Sequence, residues 1–195
     1  PDHEQIPVEL MLDQLARIAA AVDLPLTADL EAGYGDPART VWRAFEVGAV
    51  GANLEDRMRP HAEAVAAVRA AVGAIERTGI PFVLNARTDT YLFGADRHPD
   101  AVLADTLDRG RAFLEAGADC VFVPGPLSAE VIAALVDGFG RGRLSLLGMV
   151  GVPFPAELEA LGVARVSYGP YPQRRLLAGL TELAGQLLRG QPYPH

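Results

Sequence analysis

Six short apolar segments, each followed by a segment with helical spacing, constrain the fold of this chain more than any other feature. The strand-type segments cover residues 26–31, 50–55, 81–87, 120–123, 144–150 and 165–168. Helical spacing predicts a helix over 8–22 ahead of the first strand, helices over 36–48, 62–78, 100–116, 128–138 and 155–161 between the strands, and a last helix over 173–188. Asp36-Pro37 is a helix start, with Asp as the N-cap and Pro at the first helical position. Strict alternation of this kind makes strands parallel, because each returns to the sheet through a helical crossover. Two α/β architectures satisfy it, an open doubly wound sheet and a (β/α)₈ barrel, and a barrel takes eight strands and typically about 250 residues. The strands read as nearly continuous apolar runs, which is expected when both faces of the sheet are covered.

Composition narrows the function classes. The 195 residues suit one domain, and no composition shift or low-complexity tract divides them. A formal charge of −8 disfavours nucleic acid and anionic membrane as partners. No apolar run approaches the roughly 20 residues that span a bilayer, and no secretion signal opens the sequence. The single cysteine, Cys120, has no internal disulfide partner and lies in the apolar run Cys120-Val121-Phe122-Val123, so a small buried hydrophobe is expected. A reducing cytoplasm fits these features.

Chemistry collects at the ends of the first three strands. The stretch Leu26-Thr27-Ala28-Asp29-Leu30-Glu31-Ala32-Gly33-Tyr34-Gly35 carries two carboxylates two residues apart, and strand alternation places Asp29 and Glu31 on one side. Neighbouring carboxylates repel unless something neutralises them, and a hard divalent cation with oxygen ligands would do so. Glu55 and Asp56 end the second strand, and Arg87 and Asp89 follow the third. In both candidate folds the carboxyl ends of strands host the site. Asp29, Glu31 and Glu55 are therefore expected to form a metal site, with Asp29 as the direct ligand and the two glutamates acting through water. Arg87 is expected to clamp a substrate carboxylate or phosphonate, since its planar fork matches such groups. The competing role for Arg87 is an ion pair with Asp89. His61 is a candidate proton donor, whereas His3, His98 and His195 are weaker candidates. Tyr34 and Gly35, in the glycine-rich turn, are candidate substrate contacts. Trp42 and Phe45 are expected in the core or at a subunit contact.

The segment Gly33-x-Gly35-x-x-Ala38 also satisfies a dinucleotide-binding fingerprint. Physical chemistry argues against that reading. Pro37 removes one backbone N–H from the helix start, and Asp36 places a carboxylate where a phosphate would sit.

Together, Thr27 to Gly35, Gly51-Ala52-Asn53-Leu54-Glu55-Asp56 and Asn85-Ala86-Arg87-Thr88-Asp89 resemble the isocitrate lyase/phosphoenolpyruvate mutase superfamily. The segments 117–124 and 161–167 add weaker matches. The resemblance implies a (β/α)₈ TIM-type barrel, with residues 1–195 as a single domain that carries strands three to eight and lacks the first two. It implies Mg²⁺, with Mn²⁺ as the alternative, held by Asp29, Glu31 and Glu55, and a substrate-binding arginine at Arg87. It implies lyase chemistry on small 2-oxo or 2-hydroxy carboxylic acids through an enolate-like intermediate, and assembly as a homodimer or homotetramer. The lyases' Lys-Arg-Cys-Gly-His loop is absent, replaced by Arg57-Met58-Arg59-Pro60-His61. The phosphonomutase loop is absent too. C–C cleavage, P–C chemistry (with Arg57 and Arg59 as extra cations) and keto-acid binding without turnover are the three functional readings that follow.

Overall fold

The computed structural model describes residues 6–193, so His3 and His195 lie outside the described residues. Six strands and seven helices alternate: α1 (Val8–Ala21), β1 (Leu26–Asp29), α2 (Pro37–Glu46), β2 (Ala49–Glu55), α3 (His61–Glu76), β3 (Val83–Arg87), α4 (Pro99–Glu115), β4 (Cys120–Val123), α5 (Ala129–Phe139), β5 (Leu144–Leu147), α6 (Pro155–Leu161), β6 (Arg165–Ser167) and α7 (Tyr171–Leu188). All neighbouring strands are parallel and the spatial order is β1-β2-β3-β4-β5-β6.

That order decides between the two candidate architectures. A doubly wound sheet reverses its strand order at a switch point, which divides the helices between both faces. Here the order never reverses, so helices collect on one face and the sheet curls around the other. The curl is visible in a single side chain. Arg165 of β6 donates from Nη1 to Asn53 Oδ1 of β2 at 3.2 Å and from Nη2 to Thr27 Oγ1 of β1 at 3.3 Å. The fold is a partial TIM barrel, a curled half-barrel of parallel strands.

The two faces differ in chemistry, which corrects the expectation of apolar strands throughout. Ala28, Leu30, Ala52, Leu54, Leu84 and Ala86 point outward into a core shared with Leu12 and Leu15 of α1, Val41 and Ala44 of α2, and Val68, Ala71 and Ile75 of α3. Val121, Val123, Leu144 and Leu146 pack against Ile132, Leu135, Val136 and Phe139 of α5 and Leu158 of α6. The alternate positions point inward and are largely polar. Asn85 Nδ2 donates to Asn53 Oδ1 at 2.8 Å and approaches Ser145 Oγ at 3.4 Å. Period-2 alternation thus separates an apolar outside from a polar lumen.

Local signals act as their chemistry predicts. Asp36 caps α2, its carboxylate accepting from Arg39 N at 3.0 Å. Gly33 (φ 94°) turns so tightly that a Cβ there would lie 2.8 Å from Pro37 Cα, and its carbonyl accepts from Thr40 Oγ1 at 2.9 Å. The glycine turn therefore packs onto its own helix. Cys120 is buried, and burial above all pushes its thiol up to about 11. Where α4 meets α5, a Cβ on Gly110 would stand 2.4 Å from Phe139 Cε1 and Cζ. Gly110→Ala is expected to cost about 1–3 kcal/mol from overpacking, measured as a lower urea midpoint with an unchanged slope.

Candidate active site

Function in a sheet of this kind gathers beyond the carboxyl ends of the strands. A cavity of about 560 Å³ opens there, lined by Asp29, Asn53, Arg87, Phe122, Ser167 and Arg174 among others. Asp29 and Arg87, both marked by the sequence, face this one space. A second recess of about 560 Å³ lies between α1 and the first turn, where Asp29 and Glu31 meet Leu10, Met11 and Tyr34. Asp29 thus stands between the two spaces, with its Oδ1 accepting from Glu31 N at 3.0 Å.

The strand that was expected to carry both acids stops at Asp29. Glu31 belongs to the following turn, in left-handed conformation with φ 52°. Strand alternation therefore does not position it; the turn does. Tyr34, Arg57 and Met58 are also left-handed non-glycine residues, with φ of 50°, 47° and 53°. All four lie in the two loops that follow β1 and β2. Such conformations cost on the order of 1–3 kcal/mol each and persist only where surrounding bonds impose them. At Met58 the constraint is visible, since its N donates to Asp56 Oδ1 at 3.0 Å.

Carboxylates and guanidinium groups alternate along the rim. Arg57 Nε donates to Glu55 Oε1 at 2.8 Å, and its Nη2 lies 3.4 Å from Glu31 Oε2. Arg87 Nη1 contacts Glu55 Oε2 at 3.0 Å, and its Nε donates to Asp89 Oδ1 at 2.7 Å. Glu55 and Asp89 are both buried. Burial pushes the Glu55 carboxyl above its ordinary value despite Arg57 and Arg87, and it does the same to Asp89 despite Arg87. For Arg87, burial alone would favour loss of the proton, but Asp89 and Glu55 outweigh it and raise its value. Arg87 is thus paired with Asp89, the competing role foreseen for it, and it also lines the cavity.

Beneath this rim lies a buried support. Asp56 Oδ2 pairs with Arg109 Nη1 at 3.1 Å, and its Oδ1 accepts from Asp89 N at 3.1 Å. Asp56 therefore ties the β2 loop to the β3 loop and both to α4. Arg59 donates to the carbonyls of Asp56 and Glu55 at 3.2 and 3.1 Å. Arg57 and Arg59, considered as extra cations for a phosphonate, are thus engaged in holding their own loop.

Other candidates lie elsewhere. His61 begins α3, with Nε2 3.3 Å from Asp108 Oδ2 on α4, and it does not line the cavity. The reason is the short β2–α3 connection, residues 56–60, which runs directly into the helix. His98 caps α4 by accepting from Asp100 N. Tyr34 is half-buried in the α1 recess, and Gly35 lines neither space. Trp42 packs against Phe45, with ring centroids 5.8 Å apart.

The donor chemistry fits a hard cation. Asp29, Glu31 and Glu55 offer only oxygen, and Glu55 Oε2 is a buried atom with no aligned hydrogen bond. As placed, Arg57 spans Glu31 and Glu55, and among the described residues no group of three or more His, Cys, Asp or Glu side chains is gathered closely enough to hold an ion. Asp29 lines the cavity beside this network.

Comparison with known proteins identifies the family. The family model for phosphoenolpyruvate phosphomutase matches residues 1–188. The chain belongs to the isocitrate lyase/phosphoenolpyruvate mutase superfamily. A probable 2-methylisocitrate lyase of Corynebacterium glutamicum is 31% identical over 186 residues, 86% of this chain and 58% of its own. Among solved structures, a Burkholderia cenocepacia J2315 protein provisionally designated a phosphonomutase superposes with a TM-score of 0.88 at 40% identity, covering 94% of this chain and 77% of that one. Oxaloacetate acetylhydrolase, in complex with its product oxalate, superposes with a TM-score of 0.85 at 28% identity over 100% of this chain and 71% of that one. The chain thus spans a little over half of the lyase and about three quarters of the superposed structures. Members of the superfamily include lyases and mutases acting on small keto acids and phosphonates. No helix among the described residues is long and apolar enough to cross a membrane.

The polar lumen went unassigned in the sequence reading. Asn53 and Asn85 precede Glu55 and Arg87 by two residues, the spacing that puts them on the same strand face. That signal was present. Arg165 and Arg174 gave none, because what they face is decided by closure of the sheet.

Proposed function

We propose that the protein is a divalent-metal-dependent lyase that cleaves or forms a C–C bond in a small 2-oxo or 2-hydroxy carboxylic acid, through an enolate-like intermediate. The observation that carries this reading is that Asp29 and Arg87 face one cavity at the carboxyl ends of the strands. Asp29 would hold Mg²⁺ or Mn²⁺ directly, with Glu31 and Glu55 acting through water. The metal would supply Lewis-acid stabilisation for the oxygen that becomes an enolate.

The chain's own residues do the rest. Nη2 of Arg87 makes no hydrogen bond among the described residues and lies on a group that lines the cavity, so it is a donor available to the substrate. Glu55 and Asp89 hold that guanidinium from two sides, which fixes its plane before substrate arrives. Asp56 and Arg109 hold the loops that carry Glu55 and Asp89. The C–C reading is favoured over P–C chemistry because Arg57 and Arg59, the cations a phosphonate would want, are bonded within their loop.

Incubating the protein with Mg²⁺ and oxaloacetate, 2-methylisocitrate or phosphonopyruvate, and following proton and phosphorus NMR, tests the reading. The expected result is a C–C cleavage product that disappears with EDTA and returns with Mg²⁺. Asp29→Asn is expected to weaken Mg²⁺ binding by at least about tenfold, seen by calorimetry. Turnover indifferent to EDTA, or change confined to the phosphorus resonance, would overturn the proposal.

A further inference from the structure

Below the rim, the inward-facing side chains of the lumen fix the direction of one amide. Asn53 of β2 stands beside Asp29 and Asn85 in the strand register, and it lines the cavity. Its Oδ1 accepts twice, from Asn85 Nδ2 at 2.8 Å and from Arg165 Nη1 at 3.2 Å. A guanidinium has donors and no acceptor, so it can face only the oxygen of the amide. Turning the Asn53 amide over would set its NH₂ against Arg165, and turning the Asn53 and Asn85 amides over together would do the same. Arg165 is itself held from β1, where Thr27 Oγ1 accepts from its Nη2 at 3.3 Å. With Oδ1 engaged in the lumen, Asn53 Nδ2 makes no hydrogen bond among the described residues, yet it is not one of the sealed polar atoms that lack a partner. Asn53 is otherwise buried, and the opening it keeps is onto the cavity it lines.

We propose that Asn53 contacts the substrate, its Nδ2 donating to the oxygen that takes up charge as the enolate forms, and that Arg165 and Asn85 are the positioning residues that aim it. The inference rests on the proposed function, which puts that oxygen in the cavity faced by Asp29 and Arg87. Arg87 lies two residues along β3 from Asn85, so its guanidinium and the Asn53 amide reach the cavity from adjacent strands. The two donors differ in kind. Arg87 brings a charge already shared with Glu55 and Asp89. Asn53 brings a neutral N–H whose direction is set before substrate arrives, and a donor preorganised in this way needs no reorientation as charge develops. Arg165 touches no reacting atom in this scheme and acts across the lumen, through Asn53.

Oxalate, a planar anion with the adjacent oxygens of an enolised 2-oxo acid, is the probe, titrated into the full chain at saturating Mg²⁺. The wild type is expected to bind it by calorimetry, and the ¹⁵N side-chain amide resonances of Asn53 are expected to shift as it binds. Asn53→Asp keeps an oxygen for Asn85 and Arg165 but offers the cavity no donor, and Asn53→Leu removes the donor without adding charge. Both are expected to lose oxalate affinity by at least about tenfold, with the melting temperature of Asn53→Asp no lower than that of the wild type. Arg165→Met frees the amide to turn over, so oxalate is expected to leave its Asn53 resonances unmoved. Arg165→Lys, which still presents only donors, is expected to restore part of the shift. If oxalate binds the wild type without moving the Asn53 amide, or binds both Asn53 variants as tightly as the wild type, the inference falls and the proposed function stands. A full Asn53 shift in Arg165→Met overturns the positioning role of Arg165. If oxalate does not bind the wild type, both the inference and the proposed function fall.

Discussion

Arg109→Ala is expected to destabilise the protein by about 3–5 kcal/mol, because it leaves the buried Asp56 carboxylate without its counter-charge. Asp56 is 2% exposed and Arg109 7%. The guanidinium also donates to Arg59 O at 3.1 Å, so one truncation unties the β2 loop from α4 at two points. Urea unfolding measures the loss. Adding Asp56→Asn to Arg109→Ala is expected to recover part of it. The amide keeps an oxygen for the N–H groups of Met58 and Asp89 while removing the buried charge. No loss in Arg109→Ala would show that Asp56 finds another partner and that the rim does not depend on this pair.

Arg87→Ala is expected to lower kcat/KM by on the order of 10²–10³-fold, the usual cost of losing a preorganised donor to a developing oxyanion. The same change has a pH signature. Burial already raises Glu55 and Asp89 above their ordinary values, with Arg87 opposing the rise in each. A carboxyl raised in the fold contributes stability below its unfolded value and loses it as pH climbs through the folded value. Without Arg87 both folded values climb further, so that window extends upward from the ordinary values of 4.5 and 3.8. Melting temperatures at pH 5 and pH 7 are therefore expected to diverge more in Arg87→Ala than in the wild type. Equal divergence in the two proteins would mean that Arg87 does not carry the charge balance of the rim. Arg87→Lys separates the effects, since a point charge preserves the balance but not the planar fork.

Strand and helix positions were readable because each unit announced itself locally. Asp36-Pro37 capped its helix and Gly117 ended another, whereas of the periodic apolar positions of α1 only Leu12 and Leu15 are buried and Leu10, Ile18 and Val22 stay exposed. The choice between an open sheet and a curled one was not local, and it needed strand order. The acids were found because their spacing is short-range. Glu31 was misplaced on a strand because alternation was extended through a turn that reverses the backbone at that residue. His61 was read as a loop residue because nothing nearby in the sequence reveals Asp108, which reaches it from the next helix. Arg174 could not be singled out among the charges of an amphipathic helix without knowing which end of the sheet that helix begins at.

Arg165 gives the molecule a particular assembly order. Its bond to Thr27 joins residues 138 positions apart. The backbone hydrogen bonds of the sheet, by contrast, join each strand to the next in sequence. Neighbouring strand-helix units can form with modest loss of chain freedom, whereas the contact across the lumen waits until the whole chain has wound round. The contact that closes the sheet beneath the cavity is thus expected to form late in folding. A nascent or partly unfolded chain would hold most of its secondary structure and yet expose its acids without a place for substrate between them.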